Sequence, residues 1–194
     1  MIGPAFVRSG ARRHRGFTLA EVLVTVALLA VLAGVTIPAI MSRLTNSKGQ
    51  TLARELADLG SGLRAFNSDL GTYPRYLNML YSISDSVKTY CSTDIPLVVK
   101  NLTAGQQSRW RGPYVSRIIT ADYAIDAGTV LNKVKRDATD NPITLQVTVT
   151  GVDSDIAAAA EETIDGPGGN YSTGFFRWDG SDASYRISVP SSCL

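Results

Sequence analysis

Arg15-Gly16-Phe17-Thr18-Leu19-Ala20-Glu21 opens an apolar run that ends near Met41. Four arginines precede it, Arg8, Arg12, Arg13 and Arg15, with no acid among them. Gly16 removes the side chain just before an aromatic residue, and Glu21 sets one carboxylate into an otherwise apolar or weakly polar segment. A carboxylate at membrane depth costs about 2.5–3.5 kcal/mol on insertion scales, so it calls for a partner. As a helix the run reaches about 37 Å, enough to cross a hydrocarbon core. A cleaved secretory signal has a core of only about 7–15 apolar residues, and this run is too long for one. A plain membrane anchor explains the length but leaves Gly16-Phe17 and Glu21 without a reason.

The segment resembles the class III signal of type IV prepilins and pseudopilins. The match lies in Gly16 before the cut, Phe17 as the first mature residue, Thr18, Leu19 and Val22 around Glu21, and Pro38 further along. It covers residues 11–41. The resemblance implies that a prepilin peptidase cuts between Gly16 and Phe17 and methylates the new amine of Phe17. It also implies that Glu21, Gly34 and Pro38 serve assembly, with the stretch between Gly34 and Pro38 able to unwind when subunits pack. Physical chemistry points the same way at that stretch. Pro38 has no N–H for the Gly34 carbonyl, and glycine costs a helix about 1 kcal/mol relative to alanine. An ordinary kink in a membrane helix is the plainer reading.

The flanking charges set an orientation. The positive-inside rule places the arginine-rich leader in the cytoplasm and the bulk of the chain outside. The whole chain carries 19 basic and 17 acidic side chains. Loss of the four leader arginines leaves 15 against 17, a balance of −2. The basicity thus belongs to the leader, which argues against a nucleic-acid-binding body.

Beyond the apolar run, Leu52, Leu56, Leu59, Leu63, Phe66 and Leu70 recur at spacings of four and three, one stripe along a helix. Gly71 and Pro74 stop it. One helix over 17–70, about 80 Å long, is expected, its second half docked on a folded head. The expected segments are a leader over 1–16, a transmembrane and assembly helix over 17–44, and an extracytoplasmic head over 45–194. Within the head a short helix is expected over Tyr76–Tyr90. Strands are expected at Tyr114–Ile119, Val130–Val134, Ile143–Thr150, Gly174–Trp178 and Tyr185–Val189, the clearest being the alternating, β-branched run after Ile143. Asp153-Ser154-Asp155 reads as a cap before a brief helix. The expected fold is α+β and type IV pilin-like: a long N-terminal helix packed on a small antiparallel β-sheet head.

Two strings, Gly71-Thr72-Tyr73-Pro74 and Trp110-Arg111-Gly112-Pro113-Tyr114-Val115, resemble pseudopilins of type II secretion systems. The chain departs from them where an Asp-Pro-Trp-Gly string would follow; Asp137 to Pro142 stands there instead. Cys91 and Cys193 would face an oxidising compartment, and the resemblance to pilins implies a bridge between them. Closing a loop of about 100 residues is worth about 4.7 kcal/mol in the loop-entropy account. Two separate buried thiols are the other arrangement open to them.

No catalytic set stands out. His14, the single histidine, lies in the leader, which removes His-based triads and most transition-metal sites from the mature chain. There is no Walker loop or Rossmann fingerprint. No enzyme and no cofactor are expected. Asp165, Asp179 and Asp182 flank glycine-rich turns and are the weak calcium candidates; solvated turn residues are the plainer reading. Arg109, Trp110, Arg111, Lys133, Lys135 and Arg136 read as surface charge around a core tryptophan rather than a DNA contact. The expectation is a filament subunit, a pilin (major or minor) or a pseudopilin. Its partners are other pilins or pseudopilins in a helical filament, the prepilin peptidase and an inner-membrane assembly platform. It sits in the membrane before assembly and in a pilus or periplasmic pseudopilus afterwards. The alternative is a membrane-tethered extracytoplasmic binding domain that does not polymerise.

Overall fold

A computed structural model describes residues 16–83, 88–90, 99–137 and 143–189. The chain divides into two units, Met1–Met41 and Ser42–Leu194. Helix α1, Leu19–Leu70, contains the boundary between them. It is helical through Gly34 and Pro38, so the loosening expected there does not interrupt the secondary structure of the single chain. It ends where glycine was expected to end it: Gly71 takes φ of 70°, a conformation costly for any side chain with a Cβ.

In the second unit the predicted stripe is the core. Leu52, Leu56, Leu59, Leu63, Phe66 and Leu70 are all buried. They join the inward-facing residues of an antiparallel sheet in one apolar cluster. That sheet is built from β4 (Tyr123–Ile125), β5 (Gly128–Val130), β6 (Lys135–Asp137), β7 (Thr144–Thr150), β8 (Phe176–Trp178) and β9 (Ala183–Ser188). The order is β4-β5-β7-β9-β8, with β6 also paired to β7. Strand alternation does the sorting. Leu145, Val147 and Val149 of β7, with Ala183, Tyr185 and Ile187 of β9, are buried toward the cluster. A smaller antiparallel sheet joins β1 (Tyr73–Pro74), β2 (Lys88–Tyr90) and β3 (Val99–Asn101). The expected α+β, pilin-like arrangement of a long helix with an antiparallel sheet is therefore present.

The helix approaches the rest of the unit closely because three positions carry no side chain. A Cβ at Gly60 would lie 2.6 Å from the Tyr185 ring, and one at Gly62 2.9 Å from Val115. Gly49 faces α3 (Ser154–Ile164), where a Cβ would stand 2.5 Å from Ala159 Cβ and 2.9 Å from the Ile156 carbonyl.

Three local expectations need correction. The helix expected over Tyr76–Tyr90 is a single 3-10 turn, Leu77–Leu80. The Leu77 amide donates to the Asn132 carbonyl and the Asn78 amide to Asn132 Oδ1, which ties the turn to the β5–β6 connection. Lys88–Tyr90, at its far end, is a strand, and residues 84–87 lie outside the described ones. Tyr114–Ile119 is not a strand. Tyr114 is held by side-chain chemistry, its hydroxyl donating to Asp69 at 2.8 Å and its ring edge-on to Phe66 and Trp110. The strand expected over Val130–Val134 stops at Val130: Leu131 N still donates to the Thr148 carbonyl of β7, but Asn132 N is drawn to Asp122 Oδ1 at 2.6 Å, Lys133 makes only an isolated bridge to Tyr76, and β6 begins at Lys135. The remaining strands and α3 fall within two residues of their expected positions. Asp153 does precede α3, but its side chain makes no capping bond.

Gly49→Ala tests the close approach. Alanine gains about 1 kcal/mol of helix propensity, but overpacking against a neighbouring backbone costs about 1–3 kcal/mol. Because backbone atoms of α3 stand in the way, the net expectation is a lower melting temperature in thermal denaturation, whereas an unchanged or raised one would mean α3 shifts freely.

Candidate assembly segment

Residues 16–44 hold the candidate site, and their chemistry is mostly surface. Among the described residues, 17 large hydrophobic side chains are exposed, and all but Ile118 and Phe175 fall between Phe17 and Leu44. Phe17 is 85% exposed. This helix is long and apolar enough to cross a membrane, and its apolar window is not buried against the rest of the chain. The core helix of a soluble protein would show the opposite.

The few polar groups here are turned back onto the helix itself. Thr25 Oγ1 donates to the Val22 carbonyl at 2.9 Å, and Thr36 Oγ1 donates to that of Leu32 at 3.0 Å. A hydroxyl satisfied within its own turn carries less penalty in an apolar surround. Glu21 is treated the same way. Its Oε2 accepts from the Thr18 amide at 3.0 Å and from Thr18 Oγ1 at 3.1 Å. The Glu21 amide donates to Thr18 Oγ1 at 3.2 Å. This is a reciprocal capping box, Thr18 at the N-cap and Glu21 three residues in, satisfying two amides that would otherwise lack partners. The Thr18-x-x-Glu21 spacing announces it in the sequence.

Gly16 and Phe17 precede the helix and are exposed. A Cβ at Gly16 or Gly34 would meet nothing within 4 Å. Among the described residues nothing therefore requires glycine at either place, unlike Gly49, Gly60 and Gly62.

The other candidate residues are not gathered into one site. Among the described residues no group of three or more His, Cys, Asp or Glu side chains stands ready for a metal ion. Asp165 closes α3, and its two carboxylate oxygens accept the amides of Phe175 and Phe176 at 2.9 and 2.8 Å. Asp179 and Asp182 belong to the β8–β9 turn, where Asp179 Oδ1 accepts the amides of Ser181 and Asp182. Those amides hold the Asp179 carboxyl below the usual carboxylate range. Cys91 and Cys193 lie outside the described residues.

A polar cluster in the second unit escaped the sequence reading. Glu55 Oε1 accepts from the Tyr123 hydroxyl at 2.7 Å and lies 3.2 Å from Arg117 Nε. The Arg117 guanidinium sits over the Tyr123 ring at 5.0 Å. Burial, then the Glu55 carboxylate, pushes the Tyr123 hydroxyl well above its ordinary range. Glu55 stands 62 and 68 positions before Arg117 and Tyr123, and no local pattern joins it to them.

Residues 11–37 match the family pattern described as the prokaryotic N-terminal methylation motif. The chain carries that motif. Over 63 residues it is 35% identical to the type II secretion system core protein G of Dickeya chrysanthemi, across 32% of this chain and 41% of that protein. The protein of the same name from Klebsiella pneumoniae is 33% identical over 63 residues, 45% of its length. That from Pectobacterium carotovorum subsp. carotovorum is 34% identical over 62 residues, 40% of its length. The chain thus spans less than half the length of these curated relatives. No solved structure matches it.

Glu21→Ala removes the acceptor of the capping box. In detergent micelles, hydrogen exchange at the first-turn amides is expected to accelerate several-fold while residues 52–70 keep their protection; equal exchange in both proteins would show that the box does not hold the first turn.

Proposed function

We propose that the chain is a structural subunit of a type IV filament, a pilin or a pseudopilin, cut between Gly16 and Phe17 and methylated on Phe17. The observation that carries this reading is the uncovered apolar helix led by Gly16-Phe17 and bearing Glu21. The methylation motif and the likeness to core protein G support it. Residues 1–16 are the leader in this reading, residues 17–44 the membrane and assembly helix, and the rest an extracytoplasmic head. The helix lies in the inner membrane first and among neighbouring subunits afterwards. Other pilins or pseudopilins, the prepilin peptidase and an inner-membrane platform are its partners. The work of the chain is assembly rather than catalysis.

Each site residue has a role in this account. Gly16 keeps the scissile bond clear of a side chain. Cleavage turns Phe17 into an amine at the mouth of an apolar segment. Glu21 of one subunit then pairs with the Phe17 amine of a neighbour, which sets axial register and relieves two charges that are costly in low dielectric. Gly34 and Pro38 let the helix loosen under packing, and the unfilled space beside Gly34 is where a neighbour fits. Cys91 and Cys193 close a disulfide after export.

Peptide mass mapping of protein from cells with an active prepilin peptidase is expected to find a chain starting at methylated Phe17; a chain starting at Met1 would sink the reading. Two substitutions then separate the roles of Glu21. Glutamine can still fill the capping box but carries no charge, and alanine does neither. If pairing with the amine governs assembly, Glu21→Gln and Glu21→Ala are both depleted from sheared filaments in competition with wild type at matched membrane levels. Equal incorporation of the glutamine variant would confine Glu21 to capping its own helix. Non-reducing peptide mapping is expected to recover one Cys91–Cys193 peptide, and removing either cysteine to lower stability by about 2–5 kcal/mol. Full alkylation of both thiols without reductant would refute the bridge.

A further inference from the structure

The sheet face turned away from the apolar cluster holds a polar cavity of about 310 Å³, which falls at the lower end of the roughly 300–1,000 Å³ typical of small-molecule sites. Strand register builds it. Lys135, Gln146 and Arg186 lie abreast on β6, β7 and β9. Thr148, Ser184 and Arg177 lie abreast on β7, β9 and β8. Residues two apart on a strand share a face, so the two rows form one patch. It presents cations at three of its edges and hydroxyls between them. Trp178, which shares the register of core-facing Ala183 and packs partly against the core, also lines it, with Tyr171 beside it at a ring-centroid distance of 5.2 Å. The indole is held in place by Nε1 donating to the Val152 carbonyl at 3.1 Å.

The floor of this cavity carries an unexplained group. Thr148 is only 3% exposed, yet its Oγ1 has no hydrogen-bond partner among the described residues. A buried hydroxyl left unpaired is costly, and valine would fill the same volume without that cost. Three carboxylates face the patch, and all are engaged within the head. Asp137 accepts from Gln146 Nε2 at 2.9 Å and lies 3.5 Å from Arg186 Nη2. Asp179 Oδ1 takes two turn amides, and Asp182 Oδ1 accepts from Ser181 Oγ. Lys135 is exposed at the edge of the patch.

We propose that this cavity binds an acidic saccharide unit. The ring lies against Trp178, a hydroxyl bonds Thr148 Oγ1, and the carboxylate is met by Lys135, Arg177 and Arg186. Aromatic surface, buried hydroxyl and guanidinium together suit a hydroxylated anion better than a bare ion or a neutral sugar. The site lies in the head, and its occupancy does not depend on whether the chain polymerises.

Amide NMR of the full chain in detergent micelles, titrated separately with methyl glucuronide, methyl glucoside and sodium sulfate, tests this. The glucuronide is expected to give saturable shifts at Thr148, Ser184 and Trp178, with Kd near or below about 1 mM, and to bind more tightly than either control. Lys135→Gln and Thr148→Val are each expected to weaken it about tenfold, and Thr148→Val to leave the melting temperature unchanged or raised. No saturable shift with the glucuronide would overturn the proposal. So would sulfate binding as tightly as the glucuronide, or Thr148→Val binding as well as wild type.

Discussion

A helix that is apolar on every side has to be covered by something other than its own chain, and residues 17–44 impose that condition here. Each large apolar side chain left in water forgoes about 1.5–3 kcal/mol. Fifteen of them lie together, so an uncovered chain in water would associate. Lipid and the helices of like subunits are both adequate covers, because both are apolar and neither supplies hydrogen bonds. The polar groups of the segment fit that condition. The hydroxyls of Thr18, Thr25 and Thr36 are satisfied within one turn of themselves, and Glu21 has one oxygen engaged by Thr18 while its charge still calls for a partner. Apart from that charge, a segment of this kind can exchange one apolar surround for another without leaving a donor or acceptor stranded, which is what transfer from membrane to filament would require.

The same helix obeys a different rule in the second unit. There the apolar residues narrow to one stripe, and glycine occupies places where the partner surface comes too close for a Cβ. Gly60 against Tyr185 and Gly49 against α3 are packing glycines, with their reason visible in the chain. Gly34 has no such reason among the described residues. One residue type thus records two environments: contacts already made in the head, and room left open in the N-terminal run.

What could be read from the sequence followed from period and local chemistry. The stripe from Leu52 to Leu70 is a 3.6-residue pattern long enough to be unambiguous, and every member is buried. β7 was legible because β-branched residues alternate along it. The failures occur where distant side chains override local preference. Tyr76–Tyr90 carries helical spacing, but Asn132, more than 50 residues away, captures the amides of its first turn. Tyr114–Ile119 has strand composition, but Tyr114 is committed to Asp69 and Phe66 on α1. Asp165, read as a turn acid, uses its two oxygens to hold the amides that lead into β8, a role set by residues ten and eleven positions away. The polar patch on the outer sheet face was invisible for the same reason: its members lie on four strands and meet only through register.

Glu21 joins the single chain to the assembly it is proposed to enter. Capping its own helix and pairing with a neighbour look like rival uses of one carboxylate. The geometry makes them compatible. Both donors from Thr18 converge on Oε2, and an ionised carboxylate offers about four acceptor positions across its two oxygens. Oε1 is the oxygen through which an amine can approach while the box stays closed. Capping also fixes the side chain before any neighbour arrives, so little rotamer freedom remains to be lost on pairing. The first turn then presents an oriented charge rather than a mobile one. In an apolar surround, where a misplaced charge finds no water to compensate it, that orientation favours one register over its neighbours.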